Sequence, residues 1–170
     1  MIKELCVLVR LLFSSKPSGS LHKEMELLCM RHFPFKGFCF MCWCGKIVYR
    51  KEHEEVITRF LNTESGKVKR THEYGHVVQA VSEHGDNWLR YYLSYFWHWV
   101  KHCPWIAPSS ACYYINRYEC EAYAQEDNPD YWKDYNRKNL RERYAIEDAK
   151  NVWRALGGTS KDWKEFLKTI

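Results

Sequence analysis

Two histidines and a glutamate fall together in the pentamer His72-Glu73-Tyr74-Gly75-His76. Side chains four apart on an α-helix lie one turn above each other, so both imidazoles can reach a single ion. Glu73 follows the first histidine directly, where its carboxylate can hydrogen-bond a water held on that ion. Zinc lowers the pKa of such a water to about 7, and a neighbouring carboxylate can take its proton as it attacks a carbonyl carbon. The pentamer therefore points to one Zn2+ held by His72 and His76, with Glu73 as general base.

Two imidazoles leave such a site incomplete, because catalytic zinc usually has three protein ligands and a water. Downstream, Asn116-Arg117-Tyr118-Glu119-Cys120-Glu121-Ala122-Tyr123-Ala124 lies on a second predicted helix. Glu119 and Glu121 are about 200° apart around that helix, so only one can face the histidines, and the other is then a solvated carboxylate. Glu119 shares its face with Asn116 and Tyr123, a polar stripe suited to a site. Glu126 is a third choice.

At these two motifs the chain resembles the gluzincin metallopeptidases, whose second motif sets a zinc-binding Glu on a later helix, often as Glu-x-x-Ala-Asp. It is similar to small bacterial zincin-like proteins that carry both motifs in one compact domain. Matched to Glu119-Cys120-Glu121-Ala122-Tyr123, the resemblance implies Glu119 as the third ligand beside His72 and His76, and Glu73 as the base. It spans residues 71–125. Tyr123 departs from the pattern: an acidic residue is frequent there, so a carboxylate behind the ligands is missing or supplied elsewhere. The implied activity is hydrolysis of peptide bonds in a peptide or protein substrate. The alternative is a zincin scaffold serving as a binding module or non-peptidase hydrolase, with zinc structural or absent.

The elements that must position these residues can be read from periodicity. The apolar set Leu5, Val7, Leu8, Leu11 and Leu12 reads as a helix, broken by Lys16-Pro17-Ser18-Gly19, and a second short helix is expected over 21–31. Residues 38–43 and 46–50 are rich in aromatic and β-branched types around Cys44-Gly45, which reads as a β-hairpin. Helical patterns return over 54–61 and, after a loop at 62–66, over 68–83, ending at His84-Gly85. Asp86 can cap a helix over 87–102. Further helices are expected over 109–125 and from the Asn128-Pro129 cap to residue 156, with a restart at Thr159 or Ser160. The fold class is thus α+β and mainly helical: a zincin-like core with an active-site helix, a ligand helix and a small hairpin or sheet. Its 170 residues suit a single domain, 1–170.

Secondary features can be weighed against this frame. The net charge of +5 is spread along the chain, densest at 67–70 and 137–143, as on solvated helix faces; no nucleic-acid partner is expected. The apolar stretch 5–13 is short, interrupted by Arg10 and without a small-residue cleavage pattern, so no leader is expected. The eight cysteines then read as reduced thiols of a cytoplasmic protein, and Cys39, Cys42 and Cys44 as buried core rather than a zinc knot. The helix 87–102 is apolar almost all round, which suits a core position or peripheral contact with a membrane surface. His98 and His102 on it lack a carboxylate triad and read as packed or solvated. Tyr113, Tyr114 and Tyr123 are candidates to stabilise an oxyanion, with core packing as the commoner role. Strand 46–50 could be the edge beside which an extended substrate adds. Oligomeric state leaves no sign in the pattern.

Overall fold

The structure is a computed structural model that describes residues 2–14, 25–34, 38–102, 113, 116–133 and 135. Among them run α1 (Ile2–Ser14), β1 (Leu27–Met30), β2 (Phe40–Trp43) and β3 (Lys46–Arg50). A single 3-10 turn then leads into α2 (Glu54–Phe60), α3 (Glu64–His84), α4 (Trp88–His102), α5 (Arg117–Ala124) and α6 (Pro129–Lys133). The chain is mainly helical with one small sheet. The helices expected beyond residue 135, the basic stretch 137–143 and residues 109–112 lie outside the described residues; the helix expected over 109–125 is interrupted at Asn116, whose extended backbone and side chain, accepting from the Tyr118 N–H, start α5 at Arg117.

The hairpin forms as expected. Cys44 and Gly45 take φ of 50° and 79°, and two successive left-handed residues are what a two-residue turn needs to match the strand twist. Strand order is β1-β3-β2, with β1 parallel and β2 antiparallel to β3. This corrects two expectations. Residues 27–30 are a strand, not part of a helix over 21–31: leucine and methionine favour helices locally, but pairing of Leu27 with Ile47 and Met30 with Arg50 overrides that preference. And because β1 takes its far side, β3 is the central strand; among the described strands the edge of the hairpin is β2.

β3 alternates faces along the strand. Ile47 and Tyr49 enter the main core with Ile57 of α2, Val77 and Ala80 of α3, and Trp88 and Tyr91 of α4, while Val48 packs on the other face with Leu8 of α1 and Met30. The sheet is thereby held between α1 and the remaining helices.

Helix ends follow capping chemistry. Thr63 accepts a hydrogen bond from the Gly66 N–H at 3.1 Å, which starts α3 at Glu64, inside the stretch expected as a loop. Gly85 closes it at φ 59°, its N–H donating to Val81 O at 3.0 Å. The next cap is Asn87, whose Oδ1 accepts from the Arg90 N–H at 3.0 Å, and not Asp86, which sits in the left-handed region at φ 68°. Asn128 caps α6 through the Tyr131 N–H at 3.3 Å, with Pro129 in the first turn as expected.

The face that α3 buries is not the usual apolar stripe. It includes His72, Glu73, His76, Gln79 and Glu83, five polar side chains on one helix. Burying such groups costs free energy unless each finds a partner, so this face marks where the fold spends stability on something other than packing.

Candidate metal centre

α3 presents His72 and His76 one turn apart, and α5 crosses it so that Glu119 comes between the two rings. The carboxylate Oε2 lies 3.3 Å from His72 Nε2, and Oε1 lies 3.4 Å from His76 Nε2. One ligand atom from each of the three residues falls within 4.8 Å of the others, and all three side chains are buried. Ligand atoms about 2.1 Å from a tetrahedral ion sit about 3.4 Å from each other, so the spacing is that of a metal's coordination edges. Of the three carboxylates weighed in the sequence, Glu119 alone meets both histidines.

The buried atoms fit a cation. Glu119 Oε2 takes no hydrogen bond although it is shielded from solvent. Burial by itself would raise the Glu119 carboxyl, but His76 and His72 outweigh it and hold the group well below the ordinary carboxylate range. Burial would likewise lower His72, yet the Glu119 and Glu126 carboxylates raise it to about 9. His76 is raised against its own burial by Glu119. Two nitrogen donors and one carboxylate around a point that favours positive charge are a donor set suited to Zn2+.

Glu73 stands beside this group rather than in it. It is buried, and burial pushes its carboxyl up, partly offset by His72 and His76. The backbone N–H of Cys42 faces its carboxylate. Cys42 pairs with Ile47 next to the turn-closing pair Trp43–Lys46, a position whose N–H and C=O point away from β3. Glu73 is therefore set between the histidines and the edge of β2.

A layer of polar contacts surrounds the ligands. Tyr95 donates its hydroxyl to Glu119 Oε1 at 2.6 Å. His76 Nδ1 lies 3.0 Å from Gln79 Oε1 and 3.1 Å from the Tyr91 hydroxyl. His72 Nδ1 lies 3.5 Å from Glu126 Oε2, and Glu126 is paired with Lys69 at 2.5 Å. The Tyr123 ring packs on His72 with centroids 4.4 Å apart, and the Lys69 ammonium lies over the same ring, 4.9 Å from its centroid. Glu126 thus brings a carboxylate behind His72, three places beyond Tyr123.

Glu121 does not reach the histidines, as the helix geometry required, but it is no solvated carboxylate either. It is buried and accepts hydrogen bonds from Gln79 Nε2 at 2.9 Å and from the Tyr131 hydroxyl at 2.6 Å. Of the tyrosines considered, Tyr123 packs on a ligand, Tyr113 stacks edge-on with Phe38 and has Glu119, Tyr95 and Glu73 in its electrostatic surroundings, and Tyr114 lies outside the described residues. His98 packs against Tyr118, the side chain of His102 lies outside the description, and no second metal-ligating group occurs among the described residues. Cys42 and Cys44 are buried as expected, whereas Cys39 is exposed.

Sequence reasoning missed Gln79, Tyr91 and Tyr95. Gln79 could have been found: three after His76 and seven after His72, it lies on their helix face. The two tyrosines could not, because on an apolar helix their rings read as core.

The chain matches no protein-family model, no curated protein and no solved structure. The functional reading rests on the site itself.

Proposed function

We propose that the protein is a zinc-dependent peptidase of the gluzincin type. His72, His76 and Glu119 would hold the ion and Glu73 would act as general base. The observation that carries this reading is the convergence of two imidazoles and one carboxylate, all buried, with a second buried carboxylate beside them. Zinc in such a site supplies an acidified water and polarises a carbonyl oxygen.

The chain's own groups would do the rest. Glu73, raised by burial above the ordinary carboxylate value, would accept a proton at its carboxylate and return it to the departing amine. The N–H of Cys42 orients that carboxylate. The edge of β2, whose Cys42 N–H faces Glu73, would take an extended peptide as an added strand through its remaining outward backbone groups, in place of the β3 edge expected from sequence. Tyr95 and Gln79 keep the ligands from turning. A cytoplasmic setting accords with unbridged thiols at Cys6, Cys29, Cys39 and Cys42; among the described residues no helix is long and apolar enough to cross a membrane.

The test is Glu73→Gln assayed on a library of internally quenched peptides alongside zinc analysis. Loss of hydrolysis by about 100-fold or more with zinc retained at one per chain is expected. Unchanged turnover would exclude Glu73 as the base, and a wild-type protein that holds zinc but cleaves nothing would favour the binding-module alternative.

A further inference from the structure

Gln79 is fully buried, with no exposed surface at all. A buried primary amide must find partners for two N–H donors and one oxygen, and its two ends are not interchangeable. Here Nε2 lies 3.1 Å from the backbone oxygen of Tyr118, which can only accept, and 2.9 Å from Glu121 Oε2. The amide oxygen must therefore be the end that faces His76 Nδ1, at 3.0 Å. The reversed amide would set its oxygen against a carbonyl and a carboxylate, and this fixes the orientation on chemical grounds.

An amide oxygen cannot donate, so a lone pair on His76 Nδ1 would repel it. Nδ1 must carry the proton. The Tyr91 hydroxyl, 3.1 Å from the same nitrogen, can serve as donor or acceptor and falls in as a second acceptor. With Nδ1 protonated, the lone pair of the neutral ring belongs to Nε2, the atom that faces Glu119.

We propose that Gln79, locked by Glu121 and the Tyr118 carbonyl, is a positioning residue that sets the His76 tautomer and aims Nε2 at the metal position. The inference rests on the metal-site reading and deepens it. It also gives Glu121 a role: the carboxylate rejected as a ligand acts on the site at one remove, through the amide. Glu121 is in turn held by Tyr131 of α6 at 2.6 Å, so donation from His76 through Gln79 on α3 and from Tyr131 on α6 converges on this carboxylate of α5. Groups that orient metal-bound histidines in this way typically change metal affinity by about 10- to 100-fold when removed.

The experiment measures Zn2+ affinity of the full chain by competition with a chromogenic chelator, together with the visible absorption of the Co2+ form. Gln79→Leu, which keeps the volume and removes the acceptor, is expected to weaken Zn2+ binding by about 10-fold or more and to alter the Co2+ spectrum. Long-range 1H–15N correlation spectra of the zinc-loaded wild-type chain report the His76 tautomer directly: Nδ1 is expected to carry the proton and Nε2 to be the metal-bound nitrogen. A purely structural role for Gln79 predicts neither a fixed tautomer nor any change of affinity or Co2+ spectrum in a folded Gln79→Leu protein. Wild-type affinity in a folded Gln79→Leu protein overturns the inference and leaves the metal site standing. A wild-type chain that binds neither ion overturns both. Should Gln79→Leu fail to fold, the wild-type spectrum decides alone: a proton on Nδ1 of zinc-bound His76 supports the inference, and a metal-bound or unprotonated Nδ1 overturns it.

Discussion

Gly75 lies in the middle of α3 between the two histidines, and glycine there costs about 1 kcal/mol relative to alanine. The structure shows what the missing β-carbon makes room for. A Cβ at this position would lie 2.6 Å from Cζ2 of Trp132 and 2.9 Å from two further indole atoms, where ordinary contact begins near 3.4 Å. The indole has little freedom to retreat. It is buried, its Nε1–H donates to Gln125 O at 3.2 Å, and its ring stacks on Tyr135. If the indole shifts to admit the methyl, overpacking costs about 1–3 kcal/mol. If it is expelled, the loss approaches the 3–5 kcal/mol typical of deleting a buried Trp or Phe side chain (about that range). Set against the gain of about 1 kcal/mol in helix propensity, Gly75→Ala should destabilise by about 2 kcal/mol. Urea denaturation followed by circular dichroism would show a lower midpoint at unchanged slope. In a Trp132→Leu background the same substitution should become neutral to stabilising, by up to about 1 kcal/mol, because a smaller, flexible side chain then faces the methyl and the helix-propensity gain remains. A Gly75→Ala protein as stable as wild type would refute the claim that α6 is seated on α3 through this glycine.

Two further outcomes follow from particular contacts. Tyr95→Phe removes the 2.6 Å donor to Glu119 Oε1 and should cost about 1.5–3 kcal/mol in chelator-treated protein, as for other hydrogen bonds to a charged group; a loss below about 0.5 kcal/mol would speak against that contact. Glu4 at the start of α1 is held below its ordinary value by the backbone N–H of Arg31 and then by His32. Its folded value is depressed, so its contribution to docking α1 is complete at neutral pH and is lost as pH falls through that folded value. A carboxyl NMR titration should therefore give Glu4 a midpoint below the ordinary glutamate value of about 4.3, and a midpoint at or above it would contradict the contact.

The parts of the site legible from sequence were those encoded within one helix. His72, Glu73 and His76 need only helical spacing to converge, and Glu119 was separated from Glu121 by the 100° step of its own helix. What stayed hidden depended on pairing across the chain. β1 is built of helix-favouring residues and becomes a strand only because β3 accepts it, and that same pairing moves the edge from β3 to β2. Glu121 read as solvated because nothing local announces that Tyr131, ten residues on, will fold back to bond it. Tyr91 and Tyr95 carry their function in one hydroxyl each, at the end of rings that any core would accommodate.

The most direct measurement is a crystal structure of the zinc-loaded protein with anomalous data collected at the zinc edge. The account predicts one strong peak per chain, about 2.0–2.2 Å from His72 Nε2, His76 Nε2 and a Glu119 oxygen, with a solvent molecule as fourth ligand within reach of Glu73. A chain that takes up no stoichiometric zinc, or a peak held by other residues while these three side chains merely hydrogen-bond each other, would contradict it.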